Sequence, residues 1–173
     1  MRAGLSLALT LALAAPVLGQ TKGTYPGVTN FTRVDATVAC GGAAEVSALD
    51  ALKNDGFKSV INLRMASEPG ANIDQNQAKA KELGLVYIHI PFSAGNPDPK
   101  VIDQFLTAIA DKSNQPVFVH CASAQRVGTV WLAKRVLQDD YSIAKATEEA
   151  HAIGLSNPGL EKFALQYIAD HKK

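Results

Sequence analysis

At 173 residues, with 47% hydrophobic and 19% charged side chains, the sequence suits one packed domain and excludes a disordered or fibrous chain. The 17 basic and 16 acidic residues nearly cancel, and no dense Lys/Arg run occurs, which argues against a nucleic-acid partner.

Residues 1–19 begin with Arg2, run through apolar residues 5–15 and end in the small-residue site around Val17 and Gly19, the pattern of a cleaved Sec signal peptide. The apolar run is too short for the ~20 residues that span a bilayer. The expectation is an exported, periplasmic protein with no membrane association after cleavage. Residues 21–30 then form a polar lead containing Gly and Pro. A weak strand signal at residues 37–40 stops at Gly41 and Gly42. Three stronger runs lie at residues 59–63, 85–90 and 116–120, rich in β-branched and aromatic residues and bounded by turn or helix signals.

Helical patterns fill the intervals. Val46, Leu49 and Leu52 share a face; residues 75–83 end at Gly84; Asp98 and Pro99 open an amphipathic run through Val101, Ile102, Phe105 and Ile109. An amphipathic helix with Val130, Ala133 and Leu137 on one face follows the segment 120–128, and Lys134 and Arg135 read as its solvated side. Two more helices follow at residues 142–153 and 158–170. Alternation of strands and helices predicts a single α/β domain over residues 20–173, with a small, mainly parallel four-stranded sheet flanked by helices.

The chemistry concentrates after the third strong strand, which runs into His120, Cys121, Ala122, Ser123, Ala124, Gln125, Arg126, Val127 and Gly128 before a helix begins. A strand, tight loop and helix in this order turn backbone N–H groups and a helix N-terminus towards one point, which suits an oxyanion. A cysteine there lies in a positive field that favours thiolate over thiol. Arg126 adds a planar fork that can grip two oxygens of a tetrahedral anion. The two cysteines, Cys40 and Cys121, could also form a structural disulfide in an oxidising compartment. The histidines at 89, 120, 151 and 171 show no metal-ligand spacing, so neither metal nor cofactor is expected.

His120 and Cys121 followed by Arg126, Val127 and Gly128 resemble the signature loop of the protein tyrosine and dual-specificity phosphatase superfamily. Residues 31–151 are similar, more closely, to bacterial beta-lactamase-hydrolase-like (DUF442) phosphatase domains, through residues 60–64, 84–91 and 120–128. The resemblance implies a cysteine-phosphatase fold and a phosphorylated small molecule or protein as substrate. It also implies a cysteinyl-phosphate mechanism with Cys121 as nucleophile, Arg126 as anion clamp, and His120, Ala122, Ser123, Ala124 and Gln125 around the substrate.

The sequence departs from the superfamily pattern in three ways. Four residues separate Cys121 from Arg126 where most protein tyrosine phosphatases have five, a spacing shared with rhodanese sulfurtransferases. Val127 replaces the usual Ser or Thr, leaving Thr129 as the nearest hydroxyl. Ala124 stands where glycine is frequent, so a left-handed backbone there would be strained. A persulfide-forming sulfurtransferase and a non-catalytic anion-binding pseudophosphatase therefore stay open as alternatives.

Asp98 is the candidate general acid, on the loop after the second strong strand, although it also suits a helix cap. Glu68 and Asp74 are lesser candidates. Arg64 either meets the substrate anion or holds the loop that carries Glu68. His120 reads as support for the loop and Trp131 as core. Cys40 is either an inert buried thiol or an oxidation partner of Cys121.

Overall fold

The computed structural model describes residues 20–172, so the signal-peptide reading lies outside the described residues. Three strands form the centre: β3 (Val38–Gly41), β4 (Ser59–Asn62) and β6 (Val117–His120), every residue of which is buried. Strands covered on both faces are what near-continuous apolar runs predict for a parallel sheet. β5 (Val86–His89) completes a parallel unit ordered β3-β6-β4-β5.

The sheet has six strands, not four. The polar lead folds into a hairpin, β1 (Thr21–Tyr25) and β2 (Val28–Arg33), paired antiparallel onto β3. β1 is almost wholly exposed, so it lacks the period-2 apolar signature. Its pairing rests on the backbone ladder, a turn at Gly27 with φ of 68°, and Tyr25 stacked on Phe31 at 4.6 Å.

The chain steps outward from β3 to β4 to β5 through α1 (Ala48–Asn54) and α2 (Ile73–Glu82). It then returns to the centre through α3 (Lys100–Ala110) and β6. Right-handed crossovers in opposite directions must lie on opposite faces. Accordingly, Leu49, Leu52 and Ala80 pack on Phe118 and Val60, while Ile102, Phe105 and Ile109 join the other core. That second core also receives α4 (Gln125–Leu137), α5 (Ile143–Ile153) and α6 (Pro158–His171).

α4 is not amphipathic as expected. Residues from Arg126 to Ala133 are all buried, because the helix lies between the sheet and its helical neighbours. Its basic pair is not a solvated face either. Arg135 donates to Asp139 at 2.8 Å and to Glu149 at 2.7 Å, and Lys134 pairs with Asp139 at 2.5 Å. Both cations lie over the Trp131 ring, which is fully buried and donates Nε1–H to Glu149.

Candidate active site

The site forms where β6 ends and α4 begins. The Cys121 N–H still reaches the Gly41 carbonyl of β3, at 3.4 Å; beyond it the ladder stops. The backbone N–H groups of residues 122–127 have no acceptor among the described residues, and the helix's own bonding resumes at Gly128, which donates to the Ala124 carbonyl at 2.9 Å. Unpaired N–H groups in a protein interior are costly, so a run of them at a helix start is a ready acceptor site for an anion. Ala124 makes the turn with φ of 68°, the strained left-handed conformation expected for an alanine in this loop.

Arg126 is buried beside this loop. Its Nη1 donates to Glu68 Oε1 at 2.5 Å and to the Phe92 carbonyl at 2.8 Å, and its Nη2 donates to Glu68 Oε2 at 2.8 Å. Burial works against the cation, but the Glu68 carboxylate and the Cys121 sulfur outweigh it and raise the Arg126 pKa above its ordinary value. The hydrogen bond from Arg126 in turn holds Glu68 down at about 2, which makes Glu68 an anionic clamp and not a proton donor.

Arg64 builds the loop that presents Glu68. It donates to the carbonyls of Pro69 at 2.6 Å and Gly70 at 2.8 Å and pairs with Glu68 at 3.4 Å. Met65 N–H adds a bond to Glu68 Oε1 at 2.7 Å. Of the two roles open to Arg64, the geometry gives it the loop.

A cleft of about 330 Å³ meets the signature loop at Ser123, Gln125 and Arg126 and is walled by Glu68, Ser93 and Asn157 among others. Cys121 is buried and does not line it. Gln125 is oriented by Ser156, whose N–H donates to its Oε1 at 3.3 Å. Asp98 lies outside the lining, exposed, with its Oδ1 accepting from the Lys100 N–H at 2.9 Å where α3 starts. Asp74 is exposed in the first turn of α2. The Thr129 hydroxyl donates back along its helix to the Gln125 carbonyl at 3.0 Å.

His120 is buried and stacked on Phe118, with ring centroids 5.6 Å apart. Burial pushes its pKa down to about 4, the carbonyls of Cys121 and Gly42 pulling the other way, and its Nδ1 has no hydrogen-bond partner. The ring is therefore neutral at pH 7.

Cys40 faces the same core as Cys121, and both thiols are free. In the β3–β6 register Cys40 lies opposite Val119, so Cys121 is its diagonal neighbour. The two thiols are not bonded to each other. Burial also pushes the Cys40 thiol well up, which suits an inert core residue.

Sequence reasoning missed the Glu68–Arg126 clamp and the part played by Asn157 and Ser156. These contacts join segments far apart in the chain, and none carries a local motif.

An α/β sheet whose central strand runs into a cysteine and a loop of unpaired N–H groups, with an arginine on the helix that follows, defines an anion-binding class of site. The matching family model covers residues 25–163 and describes a dual-specificity/protein tyrosine phosphatase domain fused to NAD+ kinase; the chain belongs to this phosphatase family. No curated protein sequence matches it. Among solved structures it resembles a DUF442 protein from Shewanella putrefaciens, at 20% identity and a TM-score of 0.71, over 85% of this chain and 96% of that one. It also resembles the PP-IP phosphatase SIW14 core of S. cerevisiae, at 18% identity and a TM-score of 0.70, over 86% and 91% of the two chains. A third neighbour is P. aeruginosa TpbA, at 16% identity and a TM-score of 0.65, over 87% and 89%.

Proposed function

We propose that this protein is a cysteine-dependent phosphomonoester hydrolase acting through a cysteinyl-phosphate intermediate. The observation that carries the reading is the run of acceptor-free N–H groups at residues 122–127 beside Arg126. A phosphoryl group seated there would place its oxygens on those donors and on the guanidinium, with its phosphorus towards the Cys121 sulfur. Sulfur forms a bond to phosphorus as the bond to the leaving oxygen breaks, and that oxygen takes a proton. Water then attacks phosphorus, the S–P bond breaks, and inorganic phosphate leaves.

Asp98 is the proposed proton donor. Glu68 is committed to Arg126, whereas the loop bearing Asp98 already supplies Ser93 and Ala94 to the cleft. Asp98→Asn should lower turnover of phenyl phosphate by about 10²–10⁴-fold and spare the better leaving group para-nitrophenol. Equal losses on both would remove Asp98 from this role.

Cys121→Ser separates the main reading from its rivals. Release of phosphate from para-nitrophenyl phosphate by the wild type and not by the variant supports the hydrolase. Thiocyanate formed from thiosulfate and cyanide would support a sulfurtransferase, and tungstate binding without either reaction a pseudophosphatase. The name of the yeast neighbour places a phosphoanhydride or polyphosphorylated small molecule on the substrate panel beside phosphopeptides.

The signal-like pattern of residues 1–19 supports export, and no helix among the described residues is long and apolar enough to cross a membrane. Fractionation should find the mature protein in the periplasm; cytosolic protein with an intact N-terminus would contradict this.

A further inference from the structure

The outer side of the signature loop is held by the N-terminal hairpin. Asn30 on β2, itself in the left-handed region with φ of 50°, donates from Nδ2 to the Ile153 carbonyl at 3.1 Å and, across the chain, to the Ser123 carbonyl at 3.4 Å. Lys22 on β1 donates to Asn30 Oδ1 and to the Ile153 carbonyl at 3.0 Å, fixing the amide with its NH₂ group towards the loop. Gly154, just past α5, allows this approach: a Cβ there would lie 2.8 Å from Asn30 Nδ2 and 3.1 Å from the Ala124 Cβ. Gly42 lies close to both Thr29 and the Ala122 carbonyl; a Cβ on it would meet the Thr29 Oγ1 at 2.5 Å and the Ala122 oxygen at 3.2 Å.

In a loop that points its N–H groups inward, the carbonyls must point outward. The Ser123 carbonyl belongs to the same peptide plane as the Ala124 N–H. Fixing one therefore fixes the other, next to a residue whose backbone conformation is strained. We propose that Asn30, oriented by Lys22, is a positioning residue that holds the Ser123–Ala124 peptide in its anion-binding orientation; this rests on the reading of that loop as the phosphate site.

Asn30→Gly accepts the positive φ but removes the amide. It should lower kcat on para-nitrophenyl phosphate about tenfold, the scale of one lost hydrogen bond, with a smaller change in KM. Amide exchange of a peptide spanning residues 122–127, measured with tungstate bound to the loop, should quicken about as much. Adding Ala124→Gly, which adopts the left-handed turn without being held, should restore most of both losses. Lys22→Met leaves Asn30 in place and should loosen the loop to a lesser degree, without depending on how the glycine variant folds. Unchanged loop exchange in Asn30→Gly, or no rescue by Ala124→Gly, overturns the proposal. A wild type that releases no phosphate would sink the functional reading, while the exchange measurement still decides the brace.

Discussion

Arg126 has both Nη atoms of its guanidinium engaged, one bridging Glu68 and the Phe92 carbonyl and the other on Glu68 alone. That clamp fixes the plane of the fork, which a point-charged ammonium could not share. Arg126→Lys should cost about 10²–10³-fold in kcat for phosphate release while Cys121 remains in place. Near-normal turnover would show that the fork does not matter. His120 makes a separate prediction about stability. Its folded pKa of about 4 lies below the about 6.5 of an unfolded histidine, so the unfolded chain takes up the proton first as pH falls. The stability from burying a neutral ring is complete above about pH 6.5 and is lost towards pH 4, at up to about 1.4 kcal/mol per pH unit. Urea unfolding across this window should show that slope in the wild type and a flatter one in His120→Phe. Glu68 acts in a lower window: its depressed value means that stability is lost as pH falls from about 4.5 towards 2.

At the scale of elements, α4 carries the loop because it is gripped on all sides. Gly128 is the point of closest approach: a Cβ there would lie 2.7 Å from the Leu155 Cβ and 2.8 Å from the Ala150 carbonyl, so α5 and the turn after it would have to shift. Gly128→Ala should destabilise the fold by about 1–3 kcal/mol, the usual range for overpacking, seen as a lower denaturation midpoint. No change in the midpoint would mean that the two helices are not closely registered. The glycine of the signature motif thus serves helix packing. The same view explains why the helix pattern misleads: with Trp131, Leu132 and Ala133 all buried, no solvent-facing stripe exists to set a period.

For the molecule as a whole, the strand-loop-helix unit and the parallel centre were legible because their signals are local. Val117, Phe118 and Val119 announce a buried strand, and the ends of α5 and α6 lie at the capping residues Ser142, Gly154 and Asn157. The hairpin was not legible, because an exposed edge strand such as β1 needs only backbone partners. The clamp between Glu68 and Arg126, 58 residues apart, was beyond any local pattern. Asn30 and Lys22 likewise look like solvated residues until the fold sets them against the loop. The central claim is that the Cys121 sulfur takes the phosphoryl group, and its most direct test is a trapping experiment. Wild-type enzyme mixed with para-nitrophenyl phosphate, quenched in acid during turnover and digested, should carry a phosphoryl adduct on the peptide containing Cys121. An unmodified Cys121 in an enzyme that still releases phosphate, or a release undiminished in Cys121→Ser, would contradict it.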